Sequence, residues 1–191
     1  MDVDTQPSDA DLIERSRHDA GAFGPLYDRY AVQLFRYAQR RLGVDTARDV
    51  VADTFLAAFA ARGRYDLTRP DARPWLFGIL TREIAGHHRR ESARLRALAR
   101  CAPEPPVDGP ADRVTADVTA QASRQPLLAA LAGLNRGERD VLLLYAWGEL
   151  SYDEIAAALG IAGGTVRSRL NRARTKVRAA LGSDPTESTV E

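Results

Sequence analysis

The chain has few of the features that mark secreted, membrane or strongly basic proteins. Its 191 residues include one cysteine, Cys101, so no internal disulfide can form and a disulfide-stapled secreted domain is excluded. No apolar run approaches the ~18 residues that span a bilayer, and the acidic N-terminus has no apolar signal-peptide segment. The net charge is only +1, which excludes a uniformly basic histone-like protein. We therefore expect a soluble, cytoplasmic protein that is not embedded in a membrane.

Catalytic and metal-binding patterns are also missing. The sequence has no glycine-rich phosphate loop, no Ser-His-Asp set and no paired catalytic carboxylates, so we expect no enzymatic activity, no cofactor and no small-molecule substrate. His87 and His88 are adjacent, and on a helix they point about 100° apart, which prevents both from facing one metal without outside ligands. Cys101 has no second thiol to resolve an oxidised state. We expect neither a zinc site nor a redox sensor.

Basic residues are concentrated near the C-terminus. The segment from Ile155 to Gly182 contains no acidic residue, whereas residues 1–22 carry six acids against two arginines. Charge segregation of this kind in a nearly neutral protein predicts a nucleic-acid surface at one end and a solvated tail at the other. The basic residues of the C-terminal segment are Arg167, Arg169, Arg172, Arg174, Lys176 and Arg178.

The periodicity predicts an all-α fold of two small helical domains, because no run alternates as a strand would. Residues 9–100 form the first domain and residues 123–182 the second, which contains a helix-turn-helix. Between them, residues 101–122 contain four prolines and predict a flexible linker. Residues 183–191 are polar and predict a disordered tail.

Capping residues predict where the helices begin. In the first domain we expect helices over about residues 8–17, 22–42, 46–61 and 74–99. Their start signals are Ser8 with Asp11, Thr46 with Asp49, and Pro74 at a first helical position. In the second domain we expect helices over about residues 123–134 and 164–181, and two more opened by Asn135 with Glu138 and by Ser151 with Glu154.

The segment from Glu149 to Arg174 has the pattern of a helix-turn-helix. Gly160 should end the first helix, and the pair Gly163-Gly164 should permit the sharp turn. At about 100° per residue, the apolar residues of the second helix form a core-facing stripe: Val166, Leu170, Ala173, Val177 and Leu181. The opposite stripe is Ser168, Asn171 and Thr175, flanked on both sides by the basic residues. Short polar side chains between two basic flanks are typical of a helix that reads the major groove.

The helix from Pro74 to Arg90 has a second unusual pattern. Its core stripe is Leu76, Phe77, Leu80 and Ile84, and its opposite face carries Trp75, Ile79, Arg82, Gly86, Arg89 and Arg90. An aromatic platform beside arginines suits unpaired DNA, because a base stacked on an aromatic ring gains ~1–3 kcal/mol. The alternative is that Trp75 is a half-buried end cap of the bundle.

Four motifs in series resemble the extracytoplasmic-function sigma factors of bacterial RNA polymerase. They are LYDRY at residues 26–30, DVVADTF at 49–55, RPWLFGI at 73–79 and GTVRSRLNRAR at 164–174. The resemblance covers about residues 9–182, and it places the proline-rich segment at the interdomain linker of the family.

The resemblance implies three contact sites for core polymerase and promoter DNA. A coiled coil of the beta-prime subunit would bind Asp49, Val50, Asp53 and Phe55. The minus-ten element would be recognised and melted by Tyr65, Trp75, Arg82, Arg89 and Arg90. The minus-thirty-five element would be read by Thr165, Arg167, Ser168, Arg169, Asn171, Arg172 and Arg174. The implied partners are the beta-prime and beta subunits of core polymerase, promoter DNA and an anti-sigma protein that clamps the exposed faces.

Three positions depart from the family pattern. Ala52 and Asp53 stand where the family usually has Gln-Glu, so Ala52 cannot donate the usual side-chain hydrogen bonds. Arg48 replaces a usual acid, and Arg82 replaces a frequent Asn on the minus-ten helix, so the family's base preference does not transfer there.

Two other functions remain as alternatives. The first is a free-standing helix-turn-helix regulator that binds operator DNA as a dimer, although no ligand, receiver or dimerisation segment is evident before the linker. The second is a helical adaptor that sequesters partners, since the core-binding motif departs from the family pattern. Run-off transcription with core polymerase separates all three functions.

Overall fold

The computed structural model describes residues 6–101, 127 and 129–182, and these are all-helical apart from their turns. The N-terminal helices are α1 (Asp9–Ser16), α2 (Gly24–Leu42), α3 (Val44–Ala61) and α4 (Arg73–Cys101). Two 3-10 turns, Ala20–Phe23 and Arg62–Arg64, lie before α2 and after α3. The C-terminal helices are α5 (Arg136–Ala146), α6 (Tyr152–Leu159) and α7 (Gly163–Leu181), preceded by a helical segment at residues 129–132. Three expectations lie outside the described residues: the linker after Cys101, the start of the helix expected from residue 123, and the tail at 183–191.

Local sequence signals explain most helix ends. Three of the four expected capping pairs are present, at Ser8, Asn135 and Ser151, each with its acidic partner three residues on. The start expected at Thr46 is wrong, because α3 already begins at Val44, directly after Gly43, which has φ +82°. A glycine with positive φ both ends α2 and allows the chain to enter α3 at once.

A buried carboxylate joins three parts of the N-terminal domain. Asp9, at the start of α1, accepts hydrogen bonds from Arg29 at 2.6 Å, from the Tyr30 hydroxyl at 2.5 Å and from the Ala72 backbone N–H at 2.8 Å. Because Asp9 is 3% exposed, these partners compensate for its removal from water. They fix α1 against α2 and against the start of α4. The core stripe expected on α4 is confirmed, since its four residues are at most 1% exposed.

The two regions contact each other through α4 and α6. On α4, Gly78 packs so closely on α6 that a Cβ added to it would lie 2.3 Å from the Ala158 carbonyl oxygen. Ile79 is 4% exposed, which corrects the expectation that it lies on an open face of α4. The helical projection could not reveal this burial, because a distant part of the chain provides it.

Candidate promoter and polymerase interfaces

The C-terminal helices form the expected helix-turn-helix, but its turn uses a different glycine. Gly160 has φ +64° and ends α6, which satisfies the left-handed position that follows many helices. Gly163 and Gly164 instead form the first turn of α7 and have no positive φ, so the turn does not depend on them. Leu181 is also a correction, because it is 48% exposed and does not belong to the core stripe. Val166, Leu170 and Ala173 are buried as expected.

The polar stripe of α7 lies on the surface. Ser168, Asn171 and Thr175 are all exposed. The Ser168 hydroxyl donates to the Thr165 carbonyl oxygen at 3.1 Å, and the Thr175 hydroxyl donates to the Asn171 carbonyl oxygen at 3.1 Å. Both hydroxyls of the stripe are therefore bonded to the helix backbone, and the exposed Asn171 lies between Ser168 and Thr175 in the stripe. An amide of this kind can make paired hydrogen bonds to adenine in the major groove.

The basic side chains beside this stripe differ in what they contact. On one side, Arg172 and Lys176 reach the Glu138 carboxylate at 3.5 and 2.8 Å, and the Arg169 guanidinium packs on Gly137, where an added Cβ would lie 2.9 Å from its Nη1. These contacts hold this side of α7 against the start of α5.

The other basic side of α7 is more open. The Arg174 guanidinium lies over the Tyr145 ring, 4.9 Å from its centroid, whereas Arg167 is exposed. Thr165, at the first turn of α7, is half-buried, and its backbone N–H donates to the Ala162 carbonyl oxygen at 2.9 Å. Among the expected minus-thirty-five residues, Arg167, Ser168, Asn171 and Arg172 are thus the most accessible.

Near the start of α4, an aromatic pair lines a cleft. The Tyr65 and Trp75 rings are tilted by 60° with centroids 4.9 Å apart, and Tyr65 is only 6% exposed beneath Trp75. The Tyr65 hydroxyl lies 2.7 Å from the Arg69 carbonyl oxygen and 3.0 Å from that of Asp71. Burial, together with the charges of Asp9 and Asp71, raises the pKa of Tyr65 to about 12. The Tyr65 hydroxyl therefore stabilises the loop that contains Arg69 and Asp71. Trp75 is half-buried, and its ring is the more accessible of the two.

The cleft beside this pair has a volume of about 240 Å³ and contains residues from both regions of the chain. Arg64, Arg69 and Arg82 line it from the N-terminal region, and Ala157 and Ala158 line it from α6. Arg89 and Arg90 are exposed further along α4 and do not line this cleft. The five residues expected at the minus-ten site are thus divided between a cleft partly covered by α6 and an open part of α4.

Helix α3 presents an acidic and apolar face. Asp49, Ala52 and Asp53 are exposed, and Leu56 is 68% exposed one turn further on. Val50 and Phe55 are only 3% and 8% exposed, so the expectation that their side chains contact a partner does not agree with their burial. Both belong to the core that holds α3 in place.

An apolar groove, which was not predicted from the sequence, lies beside this face of α3. The groove lies between α2 and α3, has a volume of about 540 Å³ and includes Ala52 and Arg48 on the α3 side. Phe55 packs at its edge on Tyr27, with ring centroids 4.8 Å apart. The apolar residues from α2 are Tyr27, Ala31, Val32 and Phe35. Three of these lie at i, i+4 and i+8 on one helical face, a spacing that the sequence already contained.

His87 and His88 are neighbours on α4. The ring centroids of His87 and His88 are 6.0 Å apart. The parts of the chain that the structure describes contain no group of three His, Cys, Asp or Glu side chains able to hold a metal ion. Over the same residues, no helix combines the length and the apolar character that crossing a membrane requires.

Comparison with protein families finds one match in each region of the chain. The N-terminal region presents the acidic and apolar face of α3, and the C-terminal region presents a basic helix-turn-helix, which is typical of a DNA-binding protein. Residues 26–94 match sigma-70 region 2, and residues 124–177 match sigma-70 region 4.

Full-length relatives agree with both matches. The chain is 34% identical over 194 residues to the RNA polymerase sigma factor CnrH of Cupriavidus metallidurans, covering 93% of this chain and 97% of CnrH. It is 35% identical over 165 residues to the ECF RNA polymerase sigma factor SigL of Mycobacterium tuberculosis, covering 85% and 90% of the two chains. The chain belongs to the extracytoplasmic-function group of the sigma-70 family, and it is an RNA polymerase sigma factor that recognises promoters.

Solved structures show the same similarity. The structure of CnrH in complex with the cytosolic domain of CnrY aligns with a TM-score of 0.62 at 32% identity, covering 92% of this chain and 98% of CnrH. The sigma factor RpoE of Bartonella quintana, in complex with the anti-sigma factor NepR, aligns with a TM-score of 0.51 at 25% identity, covering 90% and 99%. A free-standing operator-binding regulator is not favoured by these matches.

Proposed function

We propose that the two regions of this sigma factor bind different parts of the transcription complex. The domain at residues 9–100 binds core polymerase through the exposed face of α3 and engages the minus-ten element through the start of α4. The domain at residues 123–182 reads the minus-thirty-five element through α7. The chain acts in the cytoplasm and contributes binding energy and specificity, with no catalytic activity of its own.

The observation that carries the promoter part of this proposal is the exposed stripe on α7. Asn171 lies at its centre and is exposed, so its side chain can contact a base edge in the major groove. Arg167 and Arg172 lie on either side of it, where they can contact DNA phosphates. Arg167 is exposed, whereas Arg172 pairs with Glu138 and Arg174 lies over the Tyr145 ring. We assign Asn171 to base recognition and Arg167 to the phosphate backbone.

The polymerase contact is assigned to exposed residues of α3. Asp49 and Asp53 lie one helical turn apart, so their carboxylates can meet basic side chains of a partner helix along one line. Leu56 extends this line with a largely exposed apolar side chain. Ala52, which lacks the amide usual at its position, opens onto the groove beside Tyr27. Apolar contact at Leu56 and in the groove thus replaces the hydrogen bonds that Ala52 cannot make.

The minus-ten contact is assigned to Trp75 and Arg82. Trp75 offers a ring on which an unstacked base can lie, supported from below by the buried Tyr65. Arg82 is exposed at the same cleft and supplies positive charge for the phosphates of a separated strand. Arg89 and Arg90 continue this charge along α4.

An anti-sigma protein is the further partner that we propose. RpoE of Bartonella quintana, which aligns with most of this chain, is in complex with the anti-sigma factor NepR, and CnrH is in complex with the cytosolic domain of CnrY. Affinity purification from the native host should recover a polypeptide other than polymerase before stress and lose it after stress. Recovery of polymerase alone in both conditions would count against an anti-sigma partner.

The polymerase assignment is tested by reversing two charges on α3. The variant Asp49→Lys with Asp53→Lys should bind purified core polymerase at least about 30-fold more weakly, because reversing desolvated charges costs ~2–5 kcal/mol. A matched control, Glu14→Lys with Asp28→Lys, makes the same change in net charge at exposed positions on α1 and α2. Equal affinities of the two variants, with unchanged helical circular dichroism, would refute the α3 assignment.

A further inference from the structure

The loop between the 3-10 turn at Arg62–Arg64 and α4 lies at the cleft proposed for the minus-ten element. Three of its residues, Asp66, Arg69 and Asp71, line this cleft together with Trp75. Five of the seven residues 66–72 are exposed, and only Ala72 is buried. An exposed loop with few buried apolar contacts keeps one position only where polar contacts attach it. The attachments of this loop therefore decide where its side chains meet DNA.

The tip of the loop is shaped by its own side chains. Asp66 Oδ1 accepts hydrogen bonds from the Thr68 hydroxyl at 2.7 Å and from the Thr68 N–H at 3.1 Å. Asp66 Oδ2 accepts from Arg69 Nε at 3.3 Å. Because these contacts lie within the loop, they give it a shape without attaching it to the helices around it.

The end of the loop is attached to α1 through Asp9. The Ala72 N–H donates to Asp9 Oδ2 at 2.8 Å, and the Asp9 N–H donates to the Pro70 carbonyl oxygen at 3.2 Å. Arg29 Nη1 donates to the other carboxylate oxygen of Asp9 at 2.6 Å. The two bonds between α1 and the loop run in opposite directions, so they hold the two segments in one register.

The Tyr30 hydroxyl lies between two carboxylates, one on α1 and one in the loop. Its oxygen is 2.5 Å from Asp9 Oδ2 and 3.0 Å from Asp71 Oδ1. Burial, together with these two carboxylates, raises the pKa of Tyr30, so the hydroxyl remains a hydrogen-bond donor. Asp71 Oδ1 also accepts from the Arg73 N–H at 2.7 Å. Without the hydroxyl, two like charges would face each other and push the loop away from α1.

Stability alone does not explain a charge at position 9. Asp9 is 3% exposed, and a buried charge must recover through hydrogen bonds the hydration that it loses. Apolar side chains of similar volume often replace buried ion pairs without loss of stability. A carboxylate differs from them in direction, because it accepts donors from α2 and from the loop in one geometry only. The contribution of Asp9 is therefore orientation.

We propose that Asp9 and Tyr30 are positioning residues for promoter specificity, which hold residues 66–72 where this loop discriminates between bases of the minus-ten element. Both act through the loop, since their hydrogen bonds reach Ala72 and Asp71. Discrimination depends on this placement, because a displacement of ~1 Å can remove most of the benefit of a well-placed contact. The inference rests on the minus-ten function proposed above, whereas the attachment of the loop does not.

Two substitutions should loosen the loop without replacing a residue of the cleft. Tyr30→Phe removes one hydroxyl and keeps the ring, and Asp9→Asn replaces the charge with an amide; we call these the loosening variants. The control for the tyrosine is Tyr37→Phe on the same helix, whose buried hydroxyl accepts from Arg41 Nη1 at 3.0 Å. The control for the acid is Glu138→Gln, a 2% exposed residue whose partners lie in the C-terminal region.

Amide hydrogen exchange in the free chain, resolved by residue with NMR, tests the attachment of the loop. We expect the Ala72 and Arg73 N–H groups to exchange about three- to tenfold faster in the loosening variants than in the two controls, which is the effect of losing about one hydrogen bond. Helical circular dichroism should be unchanged in all four. Because Tyr30→Phe leaves the acceptor of the Ala72 N–H in place, faster exchange there reports movement of the loop. Equal exchange at both amides in loosening and control variants would overturn the attachment.

Open-complex formation by reconstituted holoenzyme tests the specificity role. One panel of promoters differs by single base pairs in the minus-ten element, and a second panel differs in the minus-thirty-five element. We expect the loosening variants to lower the ratio of rates between preferred and substituted minus-ten sequences by about three- to tenfold, and to leave the ratios in the second panel unchanged. Tyr37→Phe should preserve the ratios in both panels.

The two experiments separate this inference from the proposed function. A loosening variant that slows all promoters equally, or that speeds amide exchange without changing minus-ten discrimination, would show a structural role only and would overturn the positioning role. If the parent holoenzyme itself shows no preference at the minus-ten element, the proposed function of the cleft fails and the specificity role fails with it. The exchange rates still decide in that case whether Asp9 and Tyr30 hold the loop.

Discussion

Lys176 and Glu138 form an ion pair that holds the recognition helix against α5. Lys176 Nζ donates to Glu138 Oε2 at 2.8 Å, and the Glu138 side chain is 2% exposed. The same carboxylate accepts from the backbone N–H of Asn135 at 3.3 Å and lies 3.5 Å from Arg172 Nε. Glu138 thus caps α5 and neutralises part of one basic side of α7, which orients the stripe that contains Asn171.

The first prediction concerns the pH dependence of stability. The hydrogen bond from Lys176, the bond from Asn135 and the nearby charges lower the pKa of Glu138 from its usual 4.5, although burial opposes them. Since the folded pKa is depressed, the stabilisation is fully present above pH 4.5 and is lost as the pH falls through the lower folded value. Glu138→Gln should unfold at lower urea concentration than the parent at pH 7.

The stabilities of the parent chain and of Glu138→Gln should become more similar below pH 4. Urea unfolding of both proteins at pH 7, 5 and 3.5 measures this convergence. A difference that stays constant, or grows, as the pH falls would show that the Glu138 charge does not stabilise the folded chain.

The second prediction separates base recognition from phosphate binding on α7. Asn171→Ala should cost ~1–3 kcal/mol on the preferred minus-thirty-five sequence and relax discrimination at one base pair. Arg167→Ala should weaken binding to all sequences alike and reduce the slope of log K against log salt by about one. Holoenzyme binding to a panel of promoter variants measures both. If Arg167→Ala changed base preference and Asn171→Ala acted uniformly, α7 would be rotated relative to the orientation assigned here.

Arg174→Ala is a useful third variant in the same panel. Its guanidinium lies over the Tyr145 ring, so removing it takes away a packing contact as well as a positive charge. We expect weaker binding to all promoter sequences, as for Arg167→Ala, together with a lower midpoint of thermal unfolding. An unchanged midpoint would indicate that the contact with Tyr145 does not contribute to stability.

The third prediction distinguishes the glycines of the helix-turn-helix. Gly160→Ala should lower the free energy of unfolding by ~1 kcal/mol or more, because alanine is strained at φ +64°. Gly164→Ala should be neutral or stabilising, since its added Cβ meets nothing within 4 Å and alanine favours a helix. Denaturant unfolding of the two variants provides the comparison. Equal destabilisation by the two substitutions would support the sequence-based expectation that the Gly163-Gly164 pair permits the sharp turn.

The fourth prediction concerns Trp75 and promoter melting. Trp75→Ala should slow open-complex formation, because a stacked base loses ~1–3 kcal/mol, while the affinity for core polymerase stays the same. Trp75→Phe should recover part of the rate. Tyr65→Phe should mainly lower stability, since it removes a buried hydroxyl that lies 2.7 Å from the Arg69 carbonyl oxygen. Permanganate footprinting reports the melting, and a large melting defect in Tyr65→Phe alone would reverse these two roles.

The sequence predicted the features that depend on neighbouring residues. The capping boxes at Ser8, Asn135 and Ser151 formed as expected, because each is a contact between residues three positions apart. The core stripes of α4 and α7 were also largely right, since helical periodicity places Leu76 and Val166 inward.

Features that depend on distant contacts could not be predicted in the same way. The burial of Ile79 and the close contact at Gly78 arise from the packing of the C-terminal region on α4. The motif around Asp49 resembled a binding site as a whole, yet packing of α3 on its neighbours buried Val50 and Phe55 and left Asp49 and Asp53 outside. Periodicity also extended the core stripe to Leu181, which is 48% exposed at the last turn of α7.

The central claim is that this chain directs core polymerase to promoters that both of its regions recognise. Its most direct test is transcription of host genomic DNA by purified core polymerase, with and without the protein, followed by mapping of RNA 5′ ends. We predict a set of start sites that needs the protein and shares sequence at both the minus-ten and the minus-thirty-five positions, with Asn171→Ala relaxing only the latter. Binding to core polymerase without new start sites, or new start sites without shared upstream sequence, would contradict the account.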